Sequence, residues 1–323
     1  MNKILPIYIF IFILFALACS NDANSRQKVN SANDRTNSQE TNANKTQNAE
    51  LQEQIEQIAS EAKGRVGVAA TILETSETVS LNGGERFPMQ SVYKFPIGMA
   101  VLRQVDARKL KLDERVKVEK SDFVRKGMHS PLRDKNPNGI EKSVEELLRL
   151  SVSESDGTAS DVLFKFAGGA EEIAKFLNEL EVKELIVSNT EKEIGRDWET
   201  QYRNYATPQS AIALLRTLHE RRGLSESSQQ LMLKILVETS TGLKRLKGLL
   251  PKDAIVAHKT GTSGTNKDGV TAATNDIGII TLPNGKHLAI AVFVSDSPAD
   301  EAVREAVIAK IARAVWDKWG DEK

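Results

Sequence analysis

Cysteine is nearly missing from this chain of 323 residues. The one present, Cys19, stands near the start, so no disulfide can close within the molecule. Histidine is scarce too, and His129, His219, His258 and His287 fall at no H-x-H or H-E-x-x-H spacing. That argues against a zinc hydrolase, and no metal is expected. An excess of either charge is also missing, since 44 basic residues balance 44 acidic ones. A nucleic-acid partner would usually call for a basic excess, so none is expected. The apolar run from Ile4 to Ala18 is too short for a comfortable membrane span. What remains is a chain long enough for one large domain or two small ones, with 40% hydrophobic residues to build a core.

Lys3 followed by that apolar run has the layout of a secretory signal peptide over residues 1–18. It ends in Ala16-Leu17-Ala18-Cys19, which resembles a bacterial lipobox, although leucine usually sits one position earlier. The resemblance implies that Cys19 is lipidated and becomes the mature N-terminus. The chain would then be exported to the periplasm and held at a membrane by an N-terminal lipid anchor. The plainer alternative is an ordinary secretory signal cleaved near Ala18. Residues 19–49 follow as a polar tether rich in Asn, Ser, Thr and Gln, with little apolar beyond Val29 and a few alanines. Such a stretch cannot offset its ordering entropy and is expected to be a coil spanning about 30 Å.

The folded domain is expected over residues 50–323. Leu51, Ile55, Ile58 and Ala62 form a helical stripe. Residues 66–73 read as a buried strand, and Glu77–Leu81 could pair with it as a hairpin. Helical patterns occupy 91–106, 143–150, 156–167, 170–180, 208–221 and 225–238, interrupted by a long polar loop over 184–206. Strand patterns return at Ala254–His258, Asp276–Leu282 and His287–Val294, with the turn Pro283-Asn284-Gly285 between the last two. An amphipathic helix over 299–319 closes the chain. Strands at both ends with helices between predict an α+β fold of two lobes. One is a mainly antiparallel sheet flanked by the terminal helices. The other is an all-helical lobe, about residues 88–240, inserted into it. A site at the seam is the default expectation.

Three short motifs carry chemistry. Ser91-Val92-Tyr93-Lys94 opens a helical pattern, and residues three apart share a helix face, so Lys94 can reach the Ser91 hydroxyl. A serine needs such a neighbour to take its proton. Alone this pattern is weak, because Ser25-Arg26-Gln27-Lys28 in the tether matches it as well. Ser155-Asp156-Gly157 lies between two helical patterns, where a serine would ordinarily be a helix cap. Lys259-Thr260-Gly261-Thr262-Ser263-Gly264 follows a strand and could be only a glycine-rich turn.

In this order the three motifs resemble the S-x-x-K, S-D-N and K-T-G set of class A β-lactamases and penicillin-binding proteins. The resemblance extends over roughly residues 50–320. Gln90–Pro96, Ala257–Gly264 and Thr271–Gly278 are similar to the extended-spectrum class A subgroup that contains the PER-type and VEB-type enzymes. It implies hydrolysis of the β-lactam amide through an acyl-enzyme on Ser91, giving antibiotic resistance. No cofactor is implied, the partner is a small β-lactam molecule, and the chain is expected to act as a monomer. By the same resemblance Lys94 is a candidate base and Ser155 passes a proton to the lactam nitrogen. Lys259, Thr260, Thr262 and Ser263 bind substrate, and the backbone N–H groups of Ser91 and Thr262 form the oxyanion hole. Glu191 falls where the family keeps its deacylating glutamate, with Glu193 and Glu199 as neighbours; whether Lys94 or Glu191 takes the serine proton stays open. Arg245 matches an arginine offered to the substrate carboxylate, or is a surface arginine beside Lys244 and Lys247.

The pattern is broken in three places. Gly157 replaces an asparagine that binds the substrate amide, a loss worth about 0.5–1.5 kcal/mol. Gly195 replaces the asparagine that many members use to hold the hydrolytic water. Asn189 and Asn204 replace an Arg–Asp pair at the base of the loop, which implies a differently folded or looser loop able to admit bulky oxyimino cephalosporins. Two other functions fit the same motifs. One is a peptidoglycan DD-peptidase that acylates without release, and the other an inactive binding protein on the same fold.

Overall fold

The computed structural model describes residues 48–320. The signal peptide, Cys19 and most of the tether expected from the sequence lie outside the described residues.

A first helix, α1, covers residues 48–60 and turns Leu51, Ile55 and Ala59 inward. Strands β1 (Arg65–Ile72) and β2 (Thr78–Leu81) form a hairpin. The two-residue β3 (Phe87–Pro88) leads through a 3₁₀ turn, Gln90–Tyr93, into helix α2 (Lys94–Asp106). A ribbon of β4 (Arg115–Val118) and β5 (Ile140–Ser143) encloses the short helix α3 (Pro131–Lys135). Helices α4 (Val144–Val152), α5 (Gly157–Phe166) and α6 (Gly169–Glu179) follow. Then come β6 (Leu185–Ile186), α7 (Glu191–Ile194), a 3₁₀ turn Glu199–Arg203 and β7 (Tyr205–Ala206). Helices α8 (Pro208–His219) and α9 (Glu226–Val237) complete the helical lobe, and the chain returns as β8 (Val256–Thr262), β9 (Thr274–Thr281), β10 (His287–Ser295) and α10 (Glu301–Gly320).

The fold is α+β. Its five-stranded sheet has the order β2-β1-β10-β9-β8 with every pair antiparallel. Both faces are covered, so strands read as apolar runs, but side chains still alternate with a period of two. Along β10, Leu288, Ile290, Val292 and Val294 join the core under the terminal helices, with Ile55 of α1 and Val307, Ile308 and Ile311 of α10. Ala289, Ala291 and Phe293 face the other way into the core of the helical lobe. Helix starts are marked locally. Ser143 caps α4 in a reciprocal box with Glu146, and Thr207 caps α8 ahead of Pro208.

Three stretches differ from the sequence reading. Residues 184–206 are not a bare polar loop, for they hold β6, α7, a 3₁₀ turn and β7, all too short to show periodicity. The ribbon β4–β5 and helix α3 escape detection for the same reason. Strand β8 does not stop at His258 but runs on through Lys259, Thr260, Gly261 and Thr262, which pair with Ile277, Asp276, Asn275 and Thr274. It is the edge strand, so one side of this polar stretch faces the seam rather than another strand, and no apolar alternation marks it.

Phe293 joins the two lobes. It is fully buried and its ring stacks on Phe87, with centroids 5.8 Å apart and planes at 21°. Truncating such a side chain leaves a cavity as well as losing burial. Phe293→Ala should destabilise the fold by about 3–5 kcal/mol, read from urea unfolding.

Candidate active site

Four elements converge on Ser91. It lies in the 3₁₀ turn, one residue after Gln90, whose φ is +47°. A non-glycine residue held there costs of order 1–3 kcal/mol and persists only where its surroundings fix it. They do so here. Gln90 donates through Nε2 to Gln201 Oε1 at 2.6 Å, and Asn275 Nδ2 of β9 donates to the carbonyl of Pro88 at 2.8 Å. Gly261 of β8 also belongs to this clamp, because a Cβ there would stand 2.2 Å from the Met89 carbonyl oxygen. Only glycine lets the edge strand come so close to the segment that presents Ser91.

Lys94, in the first turn of α2, is buried, and its Nζ donates to Ser91 Oγ at 2.9 Å and to the carbonyl of Ser155 at 2.7 Å. Its third partner is Glu191 Oε1, 2.7 Å away. Three donors thus meet three acceptors. Burial pushes the Glu191 carboxyl upward, but the charge and hydrogen bond of Lys94, with Lys259 and the nearby Tyr93 hydroxyl, outweigh it and hold its pKa below the ordinary value. Burial, with the Glu191 and Asp161 charges, drives the Tyr93 hydroxyl well above its ordinary range. That oxygen is buried without a hydrogen bond of normal geometry, so its contact with Glu191 is electrostatic rather than a formed bond.

Ser155 is not the helix cap that its position suggested. Its φ is +60°, and the cap of α5 is Asp156. Asp156 is fully buried. It accepts from the backbone N–H groups of Ala159 at 2.8 Å and Leu132 at 2.7 Å, and from the Ser130 hydroxyl. This anchor fixes the left-handed turn that points the Ser155 carbonyl at Lys94 and its hydroxyl at Lys259, whose Nζ donates to Ser155 Oγ at 3.0 Å. Burial, then the Lys94 charge, brings Lys259 well below the ordinary lysine range, against the opposing pull of Asp276 and Glu191. It is therefore poised to exchange a proton with a hydroxyl.

Glu191 opens the four-residue helix α7, and the group that holds it was not foreseen. Asp161, on α5, accepts from the Glu191 N–H at 2.7 Å and the Lys192 N–H at 3.1 Å. Burial raises its carboxyl to about 6, against these two backbone bonds, with Glu191 adding to the rise. Only its position four residues after Gly157, on the face of α5 toward the seam, could have singled it out. Glu193 is engaged elsewhere, capping Thr190, and Glu199 lies in the following 3₁₀ turn.

The base of this segment is tied rather than loose. Asn204 is fully buried, accepts from the N–H groups of Ser188 and Asn189, each at 2.8 Å, and donates to the Asn189 carbonyl at 2.8 Å. Gly157 and Gly195 stand where space is short. A Cβ on Gly157 would meet the His129 carbonyl at 3.1 Å and Glu191 Cγ at 3.2 Å. One on Gly195 would meet Met128 Sδ at 2.6 Å, so the facing wall fills the room a side chain would take.

Between these elements lies a cleft of about 750 Å³, lined by Ser91, Lys94, Ser155, Glu191, Thr260 and Thr262 among others. Ser263 also lines it, its hydroxyl accepting from the Ala273 N–H at 2.9 Å and donating to the Gly264 carbonyl. Arg245 is neither a surface arginine nor part of the lining. It is buried behind β8 and ion-paired to Glu305 at 3.2 Å. It donates to the carbonyls of Gly261 and Asn275 and, at 2.8 Å, to Thr262 Oγ1. It reaches the cleft only through the Thr262 hydroxyl.

The profile of the β-lactamase enzyme family matches residues 50–319. β-Lactamase VEB-1 of Pseudomonas aeruginosa is 41% identical over 265 residues, covering 81% of this chain and 88% of that protein. Extended-spectrum β-lactamase PER-1 of the same organism is 41% identical, covering 82% and 86%. Among solved structures, a β-lactamase from Chitinophaga pinensis superposes with a TM-score of 0.81 at 46% identity, covering 83% of this chain and 98% of that one. The TLA-3 extended-spectrum β-lactamase gives 0.81 at 45% identity, with the same coverages.

Asp161 makes stability depend on pH in a definite direction. Its folded-state pKa of about 6 lies above the ordinary 3.8, so between those values the folded protein keeps a proton that the unfolded chain has lost. The contribution is complete below about pH 4 and disappears as pH rises through about 6. Asp161→Asn should flatten this fall, worth up to about 3 kcal/mol for roughly two pK units, in urea unfolding curves taken between about pH 4 and 7.

Proposed function

The chain belongs to the β-lactamase enzyme family, in class A, and catalyses hydrolysis of the β-lactam amide bond; on that footing we propose the role of each side chain in the cleft. The observation that carries the assignment is the Lys94 ammonium lying between the Ser91 hydroxyl and the Glu191 carboxylate, at 2.9 and 2.7 Å.

Ser91 Oγ attacks the lactam carbonyl carbon, and its proton passes to the Lys94–Glu191 pair. The oxyanion is received by the backbone N–H groups of Ser91 and Thr262, the latter at the open edge of the sheet. The C–N bond breaks as the ring nitrogen takes the Ser155 proton, with Lys259, 3.0 Å behind, restoring it. Thr260, Thr262 and Ser263 face the substrate carboxylate, and Arg245 holds the Thr262 hydroxyl in place from behind. The proton held by the Lys94–Glu191 pair passes on to Lys259, which restores both groups, and Glu191, again ionised, takes a proton from the water that attacks the ester and hands it to the departing Ser91 oxygen. The Ser91 hydroxyl is regenerated as the ring-opened acid leaves. Glu191 beside Lys94 is what a peptidoglycan enzyme that stops at the acyl stage would not require.

We further infer an extended spectrum reaching oxyimino cephalosporins. The breadth of the cleft and the extended-spectrum relatives support it; the loop base, tightly bonded through Asn204, does not supply the reason. Export and a lipid anchor at Cys19 are inferred from the sequence of residues 1–19 alone.

Ser91→Ala should abolish sustained turnover of a chromogenic cephalosporin. Glu191→Gln should leave a stoichiometric burst with turnover lowered about 10²–10⁴-fold, the worth of a general base, and acyl-enzyme visible by mass spectrometry. Equal turnover in either variant would remove that residue from its role. The wild type should turn over oxyimino cephalosporins alongside penicillins in steady-state assays; hydrolysis of penicillins alone would sink the extended spectrum.

A further inference from the structure

The four histidines are far apart in sequence, yet the fold brings two of them together with an acidic residue at the end of the sheet remote from Ser91. Glu74 lies in the turn between β1 and β2, His287 opens β10, and His219 ends α8. His287 Nδ1 is 2.6 Å from Glu74 Oε1, and His219 Nε2 is 3.9 Å from the same oxygen. The two imidazole rings lie 4.6 Å apart between centroids, tilted at 49°. One ligand atom from each residue falls within 4.8 Å of the other two, and among the described residues this is the one cluster of three such side chains.

We propose that Glu74, His219 and His287 form a binding site for a divalent transition-metal ion of the Zn²⁺ type. Two imidazole nitrogens and a carboxylate oxygen are borderline ligands that suit zinc, which binds them at about 2.0–2.2 Å and so wants them about 3.3 Å from one another. Reaching that spacing needs the 2.6 Å pair to open and the 3.9 Å pair to close, each by less than an ångström, and the two imidazole nitrogens, within 4.8 Å of each other, to approach by up to about 1.5 Å. Side chains that are 30–38% exposed can make such shifts. Their open side leaves a fourth position to water.

The carboxylate is already aimed. Glu74 Oε2 accepts from the His287 N–H at 2.9 Å, which leaves Oε1 for the ion. The neighbouring cation is diverted, since Arg216 donates to the Leu73 carbonyl at 3.0 Å and to Glu220. A simple His–Glu pair needs one imidazole; here a second one stands 3.9 Å from the same oxygen. Along β10 the site and the cleft are separated by the length of strand from His287 to Val294, roughly 24 Å. A bound ion would therefore leave catalysis alone and tie the β1–β2 turn, β10 and α8 together.

The full chain, stripped of metal, would be titrated with ZnCl₂ by calorimetry in a non-chelating buffer, and its melting temperature followed. One Zn²⁺ per chain is expected, with a melting temperature that rises with zinc concentration. His219→Ala and His287→Ala should each lose both effects, with unchanged metal-free melting and unchanged cephalosporin turnover. His219→Gln and His287→Gln serve instead if the alanine variants melt lower. No zinc uptake by the wild type, or equal uptake by the variants, would overturn the site.

Discussion

The ammonium of Lys94 is almost wholly buried at the floor of the cleft, and its positive charge is stabilised by three acceptors from three parts of the chain that surround it. The first comes from its own turn, the second from the left-handed residue ahead of α5, and the third from α7. Each must be delivered to within a few tenths of an ångström, and much of the helical lobe serves that delivery. Asp156 fixes the turn, Asp161 the start of α7, and Asn204 the base from which α7 projects. Losing any of these supports would leave a charge without its partner, which costs more than the lost bond itself.

The sheet contributes rigidity and an edge. Because β8 is the last strand, its outer side is free for a ligand, and Gly261 permits it to press against the turn that carries Ser91. Arg245 then fastens that edge from the far side by bonding to Gly261, Thr262 and Asn275 together. The two lobes therefore meet through backbone as well as through the Phe87–Phe293 stack. Packed elements of this kind hold a site more exactly than free loops do.

Much of this was legible in the sequence, and the limits have physical causes. Long apolar runs such as β10 and the stripes of α2 and α8 declare themselves because burial writes its period into the residues. The polar end of β8 does not, since a strand facing an open cleft has no reason to alternate. Ser91 and Lys94 are three apart on one turn, so their meeting is local and readable, whereas Asp161 and Glu191 meet only through the fold. Arg245 was placed in the right neighbourhood by its sequence, but no pattern shows that it points into the back of a strand. The glycines at 157 and 195 looked like losses; in the structure they mark close approaches of Glu191 and Met128. Spacing rules read metal ligands only when they are neighbours in sequence, so they pass over Glu74, His219 and His287.

The tie at Asn204 is made wholly of uncharged groups, amides together with the Ser188 hydroxyl. A carboxylate and a guanidinium in its place would feel the surrounding electrolyte and the acidity of the medium; a carboxamide carries no charge to be screened and no proton to lose. The grip on one end of the glutamate-bearing segment is thus the same in brine as in dilute buffer. Its other end is held by carboxylates, Asp161 and Glu193, which do respond to the solution outside. Of the two fastenings of this segment, one is thus blind to salt and acidity and the other is not.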